Sequence, residues 1–473
     1  MSPSGDARAG EVIALPALPG RREPLSQNDP DVLIIGAGFA GLGCANVLRQ
    51  AAVPFLLLEA KGRVGGRVRT EYDLLDGHPV EAGAMMVHGR DASVLRWIEE
   101  FGLTTKKVPD FRGARFFLKG RLRGSIGIAL SGFEAFRSTF QTLRTLPRAV
   151  ARYDGPDVTL DQFLRDRHAL PTAARFVGAM YGGVNAADPE EVSVRGLAEE
   201  AHASSLGLPW ANYQVLEGYE ELARRRAKDF GDALRLNTRV DRIEWSQEGV
   251  SVHATGRSGP EVHEAAAAVV TVPLGVLQAR AIAFVPELPD AKRKAIDAIG
   301  YGHANKILLV FDEGVRRTVL GKATSIAGAD GSWYFLPYHG GKARPVVLEG
   351  FLAGRKARSL SGRPGTEVVD TILGDLERMM PGVELRSHLK AARFVDWTAD
   401  PDVRGGYTFP RIGGGLSQRK ALADPLDGVL FFAGEATHYA GEYATVHGAL
   451  DSGERAAREA LESLRKRRAA AAA

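Results

Sequence analysis

DVLIIGAGFAGLGCANVLRQAAVPFLLLEAKGRVGGRVRT, residues 31–70, decides the fold of this chain. The stretch begins with the uninterrupted apolar run 32–35, which is typical of a parallel strand buried on both faces. A helix is predicted from about residue 39 to residue 50, and the apolar run 55–58 predicts a second strand. Strand, glycine turn, helix and strand make a βαβ unit. The sequence therefore predicts an α/β, Rossmann-like fold.

Three glycines, Gly36, Gly38 and Gly41, occupy the turn between the first strand and the helix. In a βαβ unit such glycines permit a tight turn, the approach of backbone N–H groups to a pyrophosphate, and close packing of helix on strand. The phosphates then lie at the positive end of the helix. Glu59 ends the second strand, where an acid accepts hydrogen bonds from ribose hydroxyls and repels a 2′-phosphate. The spacing predicts a dinucleotide site and disfavours NADP.

A second glycine pair lies between arginines in residues 63–67, RVGGR. Guanidinium groups beside closely passing backbone suit a diphosphate or a flavin, which favours FAD over NAD. With residues 273–277, PLGVL, and 302–311, GHANKILLVF, this stretch resembles the flavin amine oxidase superfamily, which includes monoamine and polyamine oxidases, amino-acid oxidases and lysine-specific histone demethylases. The resemblance extends from Asp31 to about Leu464 and implies FAD as the cofactor.

The resemblance also implies the architecture: an FAD-binding domain of the glutathione-reductase type with an inserted α+β substrate domain, the amine oxidase fold. The FAD-binding domain would comprise residues 31–92, 210–285 and 424–465, and the substrate domain residues 93–209 and 286–423. Within these domains, helical spacing of apolar residues is predicted across 92–209 and 366–380, and strands at 236–243, 333–335 and 346–351.

Contacts to the cofactor are implied at both glycine loops, at a Gly-Ala pair running beneath the flavin, at a backbone position beside the adenine, and at the start of the final helix. The residues are Gly36, Gly38, Ala40, Gly41, Glu59, Ala60, Gly65, Gly66, Arg67, Gly83, Ala84, Met85, Val240, Gly434, Glu435, Thr445 and Val446. A helix N-terminus beside the flavin pyrimidine ring would stabilise the anion that forms on reduction.

Lys306 is the strongest candidate for a catalytic residue. It opens the apolar strand 307–311, and a lysine there is costly to bury unless it has a partner. Its side chain could instead extend to the surface. The resemblance favours a functional lysine, because GxxNKxxLxF is similar to the family segment whose lysine holds a water against flavin N5.

Four further residues are implied near the substrate. Tyr407 stands where monoamine oxidases place one wall of an aromatic cage, and Trp397 belongs to the matching loop beside the flavin. His88 falls where polyamine oxidases have a histidine or glutamate near the amine, although a histidine satisfied by packing explains it equally well. Thr445 replaces the second cage tyrosine, which leaves half a cage unless Tyr439 or Tyr443 contributes.

Two departures from the family bear on chemistry. Gly406 occupies the place of the cysteine that tethers FAD in monoamine oxidases, so noncovalent FAD is expected. Met86 replaces the arginine that binds the substrate carboxylate in L-amino-acid oxidases, although Arg90 or Arg411 could supply one. Glu190, Glu191, Glu199 and Glu200 are interpreted mostly as a solvated helix face.

Composition sets the remaining expectations. The 473 residues exceed one ordinary core, and a net charge of +4, from 61 basic and 57 acidic residues, predicts no nucleic-acid surface. Cys44 is the only cysteine, which excludes an internal disulfide, and no metal site is expected. Residues 1–30 are predicted to be a disordered lead without an export signal, and residues 466–473 a solvated tail. No apolar run reaches membrane-spanning length, so a soluble, cytoplasmic protein is expected. Separately, the chain is expected to be a monomer or a homodimer.

The function implied is that of an FAD-dependent amine oxidase of the polyamine-oxidase type. A hydride would pass from a carbon beside the nitrogen of a polyamine or related amine to flavin N5. The imine would hydrolyse to a carbonyl compound and a smaller amine, and O2 would be reduced to hydrogen peroxide. An L-amino-acid oxidase, a histone demethylase and a flavin-binding scaffold without turnover remain as alternatives.

Overall fold

The computed structural model describes residues 30–108, 113–118, 120–124, 133–204, 211–315, 323–328, 330, 332–335 and 345–472. The predicted disordered lead lies outside these ranges except for Pro30. Within the described ranges, every helix is too short or too polar to cross a lipid bilayer.

The described strands, in chain order, are β1 Val32–Ile35, β2 Phe55–Glu59, β3 Thr70–Glu71, β4 Val80–Glu81, β5 Val87–His88, β6 Thr105–Lys107, β7 Ala114–Leu118, β8 Arg121–Arg123, β9 Asn212–Val215, β10 Leu234–Leu236, β11 Arg239–Ser246, β12 Gly249–Gly256, β13 Gly259–Ala265, β14 Ala267–Val270, β15 Ala283–Val285, β16 Gly300–Tyr301, β17 Ala304–Phe311, β18 Ser325–Ala327, β19 Trp333–Phe335, β20 Val346–Ala353, β21 Leu389–Val395, β22 Thr408–Phe409 and β23 Leu430–Phe432.

The described α-helices are α1 Phe39–Gln50, α2 Val94–Glu100, α3 Phe133–Ala151, α4 Leu160–Asp166, α5 Pro171–Val184, α6 Val194–Ala203, α7 Glu220–Lys228, α8 Leu274–Gln278, α9 Asp290–Ala298, α10 Gly354–Leu360, α11 Gly365–Met379, α12 Leu385–His388, α13 Leu416–Ala423 and α14 Val446–Ala472.

A five-stranded parallel sheet, in the order β10-β2-β1-β14-β23, forms the centre of the half that contains the βαβ unit. Strand β1 is buried on both faces, as the apolar run predicts. Val32 and Ile34 pack into a core shared with α1 and α14, whereas Leu33 and Ile35 pack against the sheet of β11–β13. This alternation follows from the two-residue period of a strand. The Rossmann-like α/β fold is thereby confirmed.

Helix α14 lies closely against α1, although more than 390 residues separate the two helices along the chain. A Cβ built on Gly453 would lie 1.9 Å from the carbonyl oxygen of Ala40, so the two backbones approach too closely for any side chain there. The far end of α14 is held by Arg467, which donates to the carbonyl oxygens of Ala266 and Glu248 at 2.7 and 2.8 Å. Residues 466–472, predicted to be a solvated tail, continue this helix, and Lys466, Arg468, Ala469 and Ala470 are exposed.

The strand predicted over residues 236–243 is divided in two. Asn237 has a φ of +57°, a left-handed conformation that a continuous strand does not contain. Strand β10 therefore ends at Leu236 in the parallel sheet, while β11 begins at Arg239 in a four-stranded sheet of order β13-β12-β11-β15. Asparagine tolerates this backbone conformation better than most residues because its short polar side chain bonds locally.

A seven-stranded sheet of order β21-β17-β20-β19-β18-β7-β8 forms the centre of the second half. Strand β17 is antiparallel to both β20 and β21 and is wholly buried. Ile307 and Leu309 face the core that contains α11, whereas Leu308 and Val310 face the segment around β4. Because side chains alternate along a strand, Lys306 faces the same way as Leu308.

The prediction of helices alone across residues 92–209 is wrong in part. Helices α2 to α6 are present, but β6, β7 and β8 interrupt them, and β7 and β8 extend the seven-stranded sheet. The strand β7, ARFFL, is too short to be distinguished from a helical fragment by periodicity. The division into two discontinuous domains stays a proposal.

Candidate active site

A cavity of about 2430 Å³ opens at the carboxyl ends of the parallel strands and extends to the seven-stranded sheet. Ligands bind at this edge of an open α/β sheet because the loops that follow the strands meet there. The cavity is lined by every residue predicted for the site except Gly41, which packs inside the βαβ unit. Residues that are more than 400 positions apart in the sequence thus share one wall.

The first glycine turn leaves room for a ligand. A Cβ built on Gly41 would lie 1.8 Å from the carbonyl oxygen of Gly36, so that glycine serves the packing of α1 on β1. A Cβ on Gly38 would meet only the Cα of Gly66, at 3.9 Å. The space in front of Gly38 therefore belongs to the cavity and lies at the N-terminus of α1. A diphosphate fits this position by both room and charge.

Glu59 is held rigidly beside this turn. One carboxylate oxygen accepts a hydrogen bond from the Ala37 amide at 2.7 Å, and the other accepts from the Lys61 amide at 2.9 Å. Burial raises the pKa of Glu59 despite these two hydrogen bonds. Each carboxylate oxygen keeps a second lone pair for a ribose hydroxyl. Val240 and Ala60 line the cavity at the same end.

Arg67 connects the second glycine loop to the two segments on the opposite side of the cavity. Its Nη1 donates to the carbonyl oxygen of Gly406 and to Glu435 Oε1, both at 2.8 Å. The other oxygen of Glu435 accepts from Thr408 Oγ1 at 2.6 Å and from the Ala444 amide at 2.9 Å. Burial alone would raise the pKa of Glu435, but the Arg67 charge and the Thr408 hydrogen bond lower it.

Lys306 lines the cavity and is only 3% exposed. Its Nζ lies 3.5 Å from Met85 Sδ and 3.9 Å from Glu349 Oε2. The alternative in which this side chain reaches the surface is therefore excluded. Burial lowers the pKa of Lys306, while the negative charges of Glu349 and Glu81 act in the opposite direction.

Glu349 and Glu81 are acidic neighbours that the sequence analysis missed. Glu349 Oε1 accepts a hydrogen bond from the Glu81 amide at 2.8 Å. Glu81 in turn accepts from the Tyr219 amide at 2.8 Å and from Thr70 Oγ1 at 2.9 Å. A signal existed, since Glu349 is the one charged residue in the apolar strand β20, VVLEGFLA, and a buried carboxylate requires partners.

Two aromatic residues are fixed by their polar ends. The Tyr407 hydroxyl donates to the carbonyl oxygen of Val184 at 2.7 Å, and its ring stacks on Phe351 with centroids 6.4 Å apart. The Trp397 indole donates to the carbonyl oxygen of Ala82 at 2.8 Å. Both line the cavity, so their rings present fixed aromatic surface to a ligand. Phe351 was not predicted.

His88 and Thr445 each have a local partner that accounts for them structurally. His88 Nδ1 lies 2.7 Å from Asn212 Oδ1, and burial lowers the pKa of this imidazole. Thr445 Oγ1 accepts from the Gly448 amide at 2.9 Å, which is the N-cap hydrogen bond of α14. Both residues line the cavity, and their roles toward a substrate stay predictions.

A buried cluster around Tyr443 completes this wall. The Tyr443 hydroxyl donates to Glu200 Oε2, and the Arg419 guanidinium lies 3.5 Å from the centre of the Tyr443 ring. Tyr443 and Glu200 both line the cavity. Burial raises the pKa of Glu200 to about 7. Glu200 is thus not part of a solvated helix face, whereas Glu190 is exposed. Tyr439 does not line the cavity.

Comparison with known proteins places this geometry among amine-oxidising flavoproteins. The family model described as flavin containing amine oxidoreductase matches residues 39–461. Polyamine oxidase 4 of Oryza sativa subsp. japonica is 30% identical, over 91% of this chain and 88% of the relative. A rice lysine-specific histone demethylase 1 homolog 2 is also 30% identical, over 98% of this chain but 61% of the relative.

Solved structures share the fold at lower identity. Putrescine oxidase bound to putrescine superposes with a TM-score of 0.77 at 22% identity, covering 92% of this chain and 99% of that chain. Cyclohexylamine oxidase from Brevibacterium oxydans IH-35A gives a TM-score of 0.75 at 22% identity, covering 92% and 100%. The predicted amine oxidase fold is confirmed by these similarities.

Proposed function

Because this chain belongs to the flavin-containing amine oxidoreductase family, we propose that it is an FAD-dependent oxidase of a polyamine or a related primary or secondary amine. The observation that carries the proposal is the position of Lys306. This buried lysine lines the same cavity as Gly38 and Glu59 at one end and Tyr407 at the other. One cavity would thus join a nucleotide-binding end to an aromatic end, with the buried Lys306 side chain between them.

FAD would be held by the glycine turn at Gly38, by Glu59 and by the N-terminus of α14. When bound, the flavin supplies a hydride acceptor at N5. Noncovalent binding is supported by Gly406, where a Cβ would lie 2.7 Å from the Ala304 Cβ and leave no room for a tethering cysteine. Cys44, the only cysteine of the sequence, is buried in α1 and does not line the cavity.

The residues of the aromatic end would prepare the substrate. An alkylamine with a pKa of about 10.4 is protonated in water and has no lone pair to assist hydride loss. A cavity wall formed by Tyr407, Trp397 and Phe351 would lower that pKa by desolvation. The fixed rings would then hold the neutral amine in one orientation.

Lys306 would act on water. Its ammonium group has three donors, and the contact with Met85 Sδ engages one of them. A free donor would hold a water beside the reacting carbon for hydrolysis of the imine. The balanced reaction consumes the amine, O2 and water, and it yields a carbonyl compound, the smaller amine and hydrogen peroxide.

A second candidate is an amine that also carries a carboxylate. Several exposed cationic residues that line the cavity have no ion-pair partner among the described residues; four of them, Arg90, Lys107, Arg144 and Arg148, are called the basic rim. A polyamine carries several positive charges that the rim would repel, whereas a carboxylate would be attracted. Arg411 does not line the cavity and donates to the Asp297 carbonyl oxygen, so Arg90 is the remaining candidate of the two predicted arginines.

The test combines spectroscopy with product detection. Purified protein should contain FAD that denaturation releases into solution, and its visible absorbance should bleach when the correct amine is added without oxygen. A peroxide-coupled screen of monoamines, polyamines, acetylated polyamines and amino acids would identify the substrate class. Flavin that no amine in the panel bleaches would favour the scaffold without turnover, and colourless protein that binds no flavin would refute the proposal.

A further inference from the structure

Three ionisable side chains are buried together where β17 and β20 face the β3–β4 hairpin. Lys306, Glu349 and Glu81 are 3%, 1% and 5% exposed. The Nζ of Lys306 lies 3.9 Å from Glu349 Oε2. At this burial, solvent screens little of the attraction between the two groups, and each charged form is stable only in the presence of the other.

The strand register places Glu349 beside Lys306. Lys306 lies directly opposite Phe351 in the antiparallel pair of β17 and β20, and Glu349 lies two residues before Phe351 in β20, on the same face. Such diagonal neighbours are within reach of long side chains. The uncharged neighbours of Lys306 are Phe351, Val395 across β21, and Met85. The charged groups that face it are Glu349 and Glu81.

The two oxygens of Glu349 have different surroundings. Oε1 accepts the hydrogen bond of the Glu81 amide, which fixes the carboxylate on the β3–β4 hairpin. Oε2 is buried and has no hydrogen-bond partner among the described residues, and it is the oxygen that faces Lys306. A buried carboxylate oxygen without a hydrogen bond is costly unless a charge compensates it. Oε1 therefore anchors the side chain to the hairpin, whereas Oε2 is available to interact with the Lys306 ammonium group.

We propose that Glu349 is the positioning residue that holds the Lys306 ammonium group at the cavity wall and supplies its counter-charge. The proposal rests on the proposed function for the consequence of that charge, but the pairing itself stands on the geometry alone. Glu349 does not line the cavity, so it would act through Lys306 and not on a ligand.

The neighbouring acid explains why Glu349 is the relevant partner. Burial and the charge of Glu349 raise the pKa of Glu81 to about 8, so Glu81 is largely neutral near pH 7. Burial also raises the pKa of Glu349, and the charge of Lys306 opposes that rise. One anion then faces one cation, which balances the buried charge.

A double-mutant cycle on thermal stability tests the pairing without turnover. Glu349→Gln keeps an oxygen for the Glu81 amide and removes only the charge, and Lys306→Met removes the cation at similar volume. Each single variant should lower Tm because it leaves one buried charge uncompensated. The double variant should melt above at least one single variant, so that the two effects are strongly non-additive. Additive shifts would overturn the proposal.

A pH profile tests the consequence for the site. The holoenzyme is reduced by light, and its reoxidation by O2 is followed with no amine present, which removes the ionisation of the substrate from the profile. Without the Glu349 charge, the pKa of Lys306 should fall further. The reoxidation rate depends on the ammonium form of Lys306, so in Glu349→Gln this rate should decline at a pH about one unit lower than in wild type. The dissociation constant of the amine, measured from flavin reduction without oxygen, should stay within about twofold because Glu349 does not line the cavity.

Matched variants separate a charge effect from a packing effect. Glu220→Gln alters another buried carboxylate, one that bonds the Thr70 amide and lies 3.8 Å from Arg63 instead of Lys306. Its reoxidation profile should match wild type. Glu349→Asp retains the charge and should restore part of the profile. An unchanged pH profile of reoxidation in Glu349→Gln would refute the inference. A wild-type protein that oxidises no amine would instead refute the proposed function, and the double-mutant cycle on Tm would still test the pairing.

Discussion

Arg67 and Glu435 are 368 residues apart in the sequence and joined by a 2.8 Å hydrogen bond at the wall of the cavity. The Glu435 side chain is 4% exposed and that of Arg67 24%, so the pair is largely shielded from solvent. It connects the second glycine loop to the segment after β23. The shape of the cavity therefore depends on an ion pair between distant parts of the chain.

Replacing Arg67 should destabilise the protein and weaken flavin binding. Arg67→Met would leave Glu435 as a buried charge without its cation, which costs about 3–5 kcal/mol in comparable pairs. Chemical unfolding and flavin content would measure the two effects. Arg96→Ala provides a control, because it removes an ion pair between Glu454 and an arginine that is 61% exposed. The loss of such an exposed pair should lower the free energy of unfolding by about 0–1 kcal/mol. Equal losses in both variants would contradict the prediction.

The same pair predicts an acid limit to stability. The folded-state pKa of Glu435 lies below its usual value of 4.5. Its contribution is therefore fully present above the unfolded pKa and is lost as pH falls through the lower folded value. Unfolding free energy measured below pH 4.5 should decline less in Arg67→Met than in wild type.

Lys306→Met should retain FAD but slow flavin reduction or reoxidation by about 10²-fold, which is the scale of a lost proton-handling or water-positioning group. Stopped-flow absorbance measures both steps. Lys292→Met is the matched control, since Lys292 is also buried but donates to the carbonyl oxygen of Leu422 and does not line the cavity. Near-normal rates for both steps in Lys306→Met would remove the assigned role.

Glu200 should make stability depend on pH near neutrality. Its folded pKa of about 7 exceeds the usual 4.5, so the folded state binds more protons than the unfolded state between these values. Stability should therefore fall as pH rises through this window, by up to about 3 kcal/mol. Glu200→Gln should flatten that decline in urea unfolding. Glu199→Gln, on the same helix, tests whether the loss of any carboxylate there has the same effect.

Charge reversal on the basic rim should change substrate preference. Arg144 and Arg148 lie one turn apart on α3 and are exposed. Arg144→Glu with Arg148→Glu should lower KM for polyamines and raise it for carboxylate-bearing amines. Each change in KM should correspond to a free energy of at most about 1 kcal/mol per charge, because solvent screens exposed groups. The difference should shrink at high salt. An unchanged ratio of the two KM values would show that the rim does not contact the substrate.

Features encoded by nearby residues could be predicted from the sequence. The run 32–35, the glycines after it and Glu59 predicted a βαβ unit, because strand period, turn chemistry and helix start are local. Lys306 could be singled out because a charge in an apolar strand is costly. The division of the predicted strand at Asn237 could not be foreseen, since it depends on which sheet each half joins.

The partners of the predicted residues were beyond the reach of the sequence. Glu349 meets Lys306 only through the register of β17 with β20, and Glu200 meets Tyr443 only when α6 packs beside the segment before α14. Thr445 was interpreted against a cage tyrosine, whereas its hydroxyl caps α14. Pairings over long sequence distances are set by tertiary packing, which no single segment contains.

The close packing of α14 on α1 has a consequence for biosynthesis. Gly38 and Val446 line the same cavity, yet they are 408 residues apart in the sequence. A nascent chain can form β1 and α1 early, but it cannot retain a flavin until α14 has left the ribosome and covered them. Cofactor capture should therefore follow the synthesis of α14.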